Sequence, residues 1–262
     1  AAATLFNLIP TFFAGSFFLT PEQPLVLFWL LTLWAAVKIV KTDQANYWYL
    51  LGLAGGLGVF SKEPLVLFFL GLLLFLCLSK DHRYWWKRKE PYLAALLVLL
   101  VTSPIHIWNI QNGFAAITHN GARLHNPNHL LNLVTFSLLE FFMFSPPLFV
   151  FTILTCYFYF WYELKYQDKY SLLFVSLTFV TLTAFFVLSL FALVGGHWTS
   201  TAYLGMIILL AHRWLALRPT PLRNWRFWAN LSIIILLNVL VVSYYAWLYP
   251  IPADFHGQAY SI

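Results

Sequence analysis

Nine apolar stretches divide the chain, at about 2–19, 24–40, 47–60, 64–79, 92–108, 131–161, 171–194, 199–215 and 228–249 of its 262 residues. A helix needs roughly 20 apolar residues to cross the ~30 Å hydrocarbon core of a bilayer. Inside lipid every backbone polar group must be satisfied within the protein, which leaves helices and closed barrels. The ten-residue alternation of a barrel strand does not occur here. Composition points the same way: 9% of residues are charged and 61% hydrophobic, against about 25% charged in a soluble domain. The reading is an all-α, polytopic transmembrane bundle of about nine segments. A water-soluble enzyme, a secreted disulfide scaffold and a disordered chain are excluded. Cys77 and Cys156 both lie inside apolar runs and signal neither a disulfide nor a metal site. The chain opens at Ala1, already apolar and with no signal-peptide pattern. It is expected to be part of a longer protein.

The connecting segments sort by charge. Lys38 and Lys41 share one segment, and Lys80, Arg83, Lys87, Arg88 and Lys89 share another. Lys165 and Lys169 follow, then Arg213, Arg218, Arg223 and Arg226. The alternate segments hold only Lys62 and Arg123 of the 15 Lys and Arg residues. Basic loops stay cytoplasmic. The turns at 20–24 and 61–63, the loop 109–130, the segment 195–200 and the C-terminal tail are therefore expected on the outer face. The net charge of +6 belongs to these inner loops and not to a nucleic-acid surface.

Two runs need a decision. Residues 47–60 are short for a crossing, yet basic segments flank the pair of runs 47–60 and 64–79, so two helices are expected there. Residues 131–161 are too long for one crossing, and Ser145-Pro146-Pro147 interrupts them. Proline removes a backbone donor and clashes with the preceding turn. Residues 131–144 are expected along the outer interface, with the span beginning near Pro147. Gly52 and Gly56 stand four apart, as do Ala54 and Gly58, a spacing that lets helix backbones approach closely. The Gly55–Gly58 cluster lacks the preceding strand and the GK[ST] ending of a phosphate loop, so packing is its reading.

Ionisable groups near the bilayer are costly and mark function or pairing. Lys62 breaks the positive-inside pattern in the tight outer turn Phe60-Ser61-Lys62-Glu63-Pro64. It reads either as a loop lysine beside Glu63 or as a cation aimed at a phosphate. Glu22, in Thr20-Pro21-Glu22-Gln23-Pro24, reads either as a first-turn acid behind a Thr20 cap or as a site residue. The loop 109–130 is polar and nearly uncharged; it holds Asn109, His119, Arg123, His125, Asn126 and His129. The histidine spacing matches no compact zinc motif, so hydrogen bonding to sugar or phosphate fits better than a metal. Trp108 is an interfacial anchor or a stacking face for a sugar. His197 and Trp198 follow Gly195-Gly196 at an outer helix junction. Glu140, set among phenylalanines, either faces a polar cavity or lies near the surface. No dinucleotide or Walker motif is present.

Four motifs in order resemble family 39 glycosyltransferases, the bacterial dolichyl-phosphate-mannose protein mannosyltransferase-like proteins. Thr20-Pro21-Glu22-Gln23-Pro24-Leu25 with Phe28-Trp29 resembles their TPDxPL…FW segment. Gly52 to Lys62 resembles GLxxGLxxLSK(Y). Ser103-Pro104, Trp108-Asn109 and Asn112-Gly113-Phe114 resemble SPxxxWNxxHGW, and Gly196-His197-Trp198 with Ala202-Tyr203 resembles HWPAPAY. The resemblance covers residues 1–205. It implies a GT-C fold, a polyprenyl-phosphate-linked sugar as donor, and a lipid, glycan or protein acceptor at the outer face of a bacterial inner (plasma) membrane. No cofactor is expected and no metal is indicated, and the expected partners include membrane lipids but no nucleic acid. The substrate-binding candidates are Lys62, Trp108, Asn109, His197, Trp198 and Tyr203 on the motifs, with Arg123 and His125 from the polar outer loop. The main catalytic acid is expected upstream of residue 1, in a first outer loop, so residues 1–262 alone are expected to hold the donor without transferring sugar; Glu22 and Glu63 are the secondary candidates for the base within the chain. The whole of 1–262 then reads as part of one transmembrane glycosyltransferase domain. The chain departs from the family pattern at Glu22 (aspartate), Glu63 (tyrosine), Asn112 (histidine), Phe114 (tryptophan), Thr199 and Thr201 (prolines) and Glu140 (glutamine).

A leaving lipid phosphate needs a cation and an attacking hydroxyl needs a base, and the outer face offers Lys62 and Arg123 for the first role. The alternatives are a lipid or glycan transporter or flippase, and a non-catalytic membrane subunit. Transporters show repeated halves and midplane charges; no internal repeat is seen and the polar residues gather at one face. The charge split makes a direct prediction. In intact cells an impermeant thiol reagent should label Asn126→Cys and spare Lys87→Cys; the reverse pattern would overturn the topology.

Overall fold

The computed structural model describes residues 20–122, 128–158 and 160–216, with Leu124 and positions 3, 6, 7, 9–15, 232, 235, 236, 239, 240 and 243. All regular structure among them is helical. The α-helices are α1 (Pro10–Gly15), α2 (Glu22–Thr42), α3 (Asn46–Ser61), α4 (Val66–Leu78), α5 (Glu90–Gln111), α6 (Ala115–Ala122), α7 (His129–Met143), α8 (Pro146–Ile153), α9 (Phe160–Tyr166), α10 (Lys169–Ser189) and α11 (Ser200–Ala216). Short 3-10 turns at Glu63–Leu65, Arg83–Lys87 and Gly196–Thr199 join them, and a π-helical turn at Leu154–Phe158 extends α8. The expected all-α membrane bundle is what the structure presents. By length and apolarity α2, α5 and α10 qualify as membrane spans, and α7 with 146–157 makes a fourth if that bent pair is one span. Seven of the expected runs, from 24–40 to 199–215, fall on described helices. The run 228–249 lies almost wholly outside the described residues, as do Arg218, Arg223 and Arg226.

Turn chemistry sets the helix ends. Gln23 Oε1 accepts the Thr20 N–H at 2.7 Å, half of a capping box, so α2 starts at Glu22 behind Pro21. At the far end Asp43 takes a left-handed conformation, φ 55°, and its N–H returns to the Ile39 carbonyl. Ser145 has φ 66° and ψ 138°, outside the helical region that a residue before proline avoids. There the chain turns by 117° between α7 and the segment 146–157. The proline pair therefore breaks the long apolar run where the sequence placed the break.

The helices pack as a bundle with α3 between α2 and α5, and α10 against α4 and α11. Residues 172–178 of α10 are buried one after another, so the first half of that helix is enclosed on all sides. Trp29 meets Phe68 edge-on at 5.1 Å in the same core. In contrast Leu99, Leu100 and Ile107 of α5 are each more than half exposed, an apolar face for lipid. One end of the bundle is stitched by the basic segments. The Val40 carbonyl accepts from Lys169 Nζ at 3.0 Å and from His82 Nε2 at 3.3 Å. Lys80 N–H donates to Gln167 Oε1, and Tyr84 donates to Asp43. Three of the four segments that the charge pattern assigned to one side thus sit at one end; Arg218, Arg223 and Arg226 of the fourth lie outside the described residues.

The Gly52/Gly56 face meets α5. A Cβ on Gly52 would stand 2.7 Å from the Ala94 carbonyl oxygen, and one on Gly56 2.8 Å from Val101 Cβ. The obstacle at Gly52 is backbone, which has no rotamer to yield. Gly52→Ala should therefore cost about 1–3 kcal/mol by overpacking. Gly121→Ala, with open space around it, should change stability by less than about 1 kcal/mol. Thermal unfolding in detergent compares the two, and equal melting temperatures would remove the close contact as the reason for the glycine.

Candidate functional site

At the end of the bundle opposite the basic segments, three distant parts of the chain converge. Lys62 terminates α3 in an extended conformation, its N–H still bonded to the Gly58 carbonyl. Its ammonium donates to Oε1 of Glu22, the first residue of α2. The two side chains are 19% and 20% exposed, so the pair is largely withdrawn from water without being sealed. His197 Nε2 lies 3.5 Å from the same carboxylate oxygen. The Trp198 ring centroid is 5.8 Å from Lys62 Nζ, a cation–π approach. Residues 22, 62, 197 and 198 therefore form one cluster, although nothing in their spacing along the chain brings them together.

The loop that carries His197 and Trp198 is tightly drawn. Trp198 N–H bonds the Gly195 carbonyl. A Cβ on Gly195 would fall 2.9 Å from the His197 ring, and one on Gly196 would strike Met143 Sδ at 2.6 Å. The loop is thus pressed onto the last turn of α7. Partial burial holds the His197 pKa below its ordinary value, with Lys62 acting in the same direction and Glu22 against it. The ring is then neutral at pH 7, a proton donor or acceptor beside a compensated cation.

The other expected site residues divide. Tyr203 is fully buried and its hydroxyl donates to Glu140 Oε2 at 2.8 Å, while its ring stacks on Phe144 at 3.9 Å. It stands behind the cluster and not in it. Trp108 is half-exposed at the last turn of α5, and Asn109 Oδ1 accepts the Ala116 N–H at the start of α6. Glu63 is exposed in the 3-10 turn after Lys62. Arg123, His125 and Asn126 lie outside the described residues. Among the described residues no group of three or more His, Cys, Asp and Glu side chains is placed to hold a metal ion.

Glu140 occupies neither position that its sequence setting offered. It is fully buried, with Thr199 Oγ1 donating to Oε1 at 2.6 Å and Tyr203 to Oε2. The signal was present, an acid in a phenylalanine run, but its partners lie 59 and 63 residues away. Two departures from the family pattern, Glu140 and Thr199, turn out to touch.

An all-helical bundle with long apolar helices and an exposed apolar face is the architecture of a polytopic membrane protein, and the described residues place the charged cluster at one end of it. Residues 1–108 match the family model described as dolichyl-phosphate-mannose-protein mannosyltransferase. That stretch contains Glu22 and Lys62 and stops short of His197 and Trp198. The match returns the family that the motifs resemble, over the part of the chain that holds the first two motifs and the start of the third. No curated protein and no solved structure matches the chain.

The electrostatics of the cluster give a measurable sign. Lys62 depresses the His197 pKa and Glu22 raises it. Removing the cation in Lys62→Ala should raise the pKa, and removing the carboxylate charge in Glu22→Gln should lower it. Histidine-selective NMR titration in detergent, assigned with His197→Gln, reads both. Shifts of the opposite signs would show that the three groups do not share a field.

Proposed function

We propose that the chain is a glycosyltransferase that moves a sugar from a polyprenyl-phosphate donor to a lipid, glycan or protein acceptor. It works at the outer face of a bacterial plasma membrane, with residues 1–262 belonging to one transmembrane domain. The observation that carries the reading is the convergence of Lys62, Glu22, His197 and Trp198 at one bundle end. The family match over residues 1–108 supports the donor class, since dolichyl-phosphate-mannose is itself a polyprenyl-phosphate sugar.

In this reading the acceptor's hydroxyl oxygen forms a bond to the anomeric carbon as the bond between that carbon and the phosphate oxygen breaks, and the electron pair of the broken bond stays on the phosphate. Lys62 faces that oxygen and stabilises the charge it gains. Glu22 holds Lys62 while the site is empty. When the phosphate takes the ammonium, Glu22 is released beside the neutral His197. Its carboxylate is then placed to accept the acceptor's proton. Glu63, exposed on the far side of the turn, has no part in this step. The Trp198 face, already against Lys62, supplies an aromatic wall for the sugar.

Lys62→Ala should remove a charge-assisted contact and weaken donor binding by roughly ten- to a hundredfold. Glu22→Gln should lower kcat by about 10²- to 10⁴-fold, the usual range for loss of a general base. Both are measured with a polyprenyl-phosphate sugar in detergent or nanodiscs. Unaltered donor affinity in Lys62→Ala would refute the phosphate assignment, and parental kcat in Glu22→Gln would move the base elsewhere.

A further inference from the structure

We infer that Glu140 is a positioning residue that sets where His197 and Trp198 point, acting through Thr199. The consequence for the donor rests on the reading above; the geometric role does not. Asn132, Phe136 and Glu140 form the buried stripe of α7, four residues apart. That spacing aims all three the same way from one helix face. Phe136 meets Phe186 edge-on at 5.2 Å and so fixes the helix against α10. Glu140, one turn further on, is fully buried.

A carboxylate in that position is costly unless its oxygens are satisfied. Among the described residues no cation lies within ion-pair distance of it. Its partners are two hydroxyls. Thr199 closes the 3-10 turn Gly196–Thr199, and Tyr203 belongs to the first turn of α11. The carboxylate therefore clamps α7 to both ends of one junction, and the loop side of the clamp is the residue next to Trp198. Thr199 Oγ1 also lies 3.0 Å from the Gly196 carbonyl, so the turn closes on the same hydroxyl. The contact of Gly196 with Leu139 and Met143 presses the other end of the turn on the same helix. Release of Thr199 removes the hydrogen bond that ties the turn to α7 and leaves there the apolar contact of Gly196 with Leu139 and Met143, so His197 and Trp198 are held less firmly beside Glu22 and Lys62.

A structural role alone would make Glu140 a stability residue and nothing more. The two are separated by a local reporter. In a Cys77→Ser chain, His197→Cys is labelled with a thiol reagent in detergent, with Asn112→Cys as a distant control. Thr199→Val cuts the loop side of the clamp and Tyr203→Phe cuts the α11 side. Thr199→Val and Glu140→Leu should each change the labelling rate at 197 by about tenfold, the effect of leaving one buried hydrogen-bonding group without its partner. Glu140→Gln, which keeps an oxygen and a polar group for the two hydroxyls, should restore the parental rate. The Glu140→Leu/Thr199→Val pair should be no worse than either alone, because both cut one connection. The control position should not respond. Parental labelling in Thr199→Val would overturn the proposal even if Glu140→Leu fails to fold. Altered labelling in a chain whose parent transfers no sugar would uphold the positioning role and refute the donor reading. A parent that transfers, together with a Thr199→Val chain of parental labelling and donor KM, would do the reverse.

Discussion

The close approach of α3 to α5, backbone against backbone at Gly52 and Ala94, is the constraint on which the arrangement of the site depends. Helices surrounded by lipid gain little from hiding apolar surface from one another, so shape and small residues decide their contacts. With α3 seated in this way between α2 and α5, its last residue is delivered to the first turn of α2. Lys62 and Glu22 meet there because the end of α3 and the start of α2 come together at one end of the bundle. A bulkier residue at position 52 would push α3 away from α5. The ion pair at its end would then lose its register.

The cluster at that end is poised by partial burial. An ammonium and a carboxylate about one-fifth exposed attract each other more strongly than a surface pair, yet water can still reach them. Such a pair can exchange partners, and in the reaction proposed above the donor phosphate replaces Glu22 on Lys62 without any charge being left dry. The neutral His197 and the Trp198 face complete the surroundings without adding a second fixed charge. Behind them the Glu140 carboxylate fixes the turn from the protein interior, where a polar group is retained only if fully bonded.

Much of the fold was legible in the residues. The runs from 24–40 to 199–215 are helices, and Ser145-Pro146-Pro147 breaks the chain because residues before proline shun the helical region. The glycine face is a packing face, and the basic segments gather at one end through Val40, His82 and Lys169. Of the site, the individual residues Glu22, Lys62, His197 and Trp198 stood out by type and motif. Tyr203 did so too, but its hydroxyl is turned inward to an acid that the motif did not pair with it. The start of α2 lies at Glu22 because the Gln23 side chain, and not Thr20, closes the cap.

The sequence by itself determined where helices form, where they break and which ends carry positive charge. These follow from local rules: run length, proline geometry and the cost of moving cations across a bilayer. Only the tertiary structure decided which helices are neighbours. It placed residue 22 against 62 and 197, and 140 against 199 and 203. The physical reason is that α3, α4 and α10 are apolar on every side. A helix without a polar face has no stripe to mark its inner side. Its partners are then chosen by the fit of glycines and side chains in three dimensions, which no pattern along the chain records.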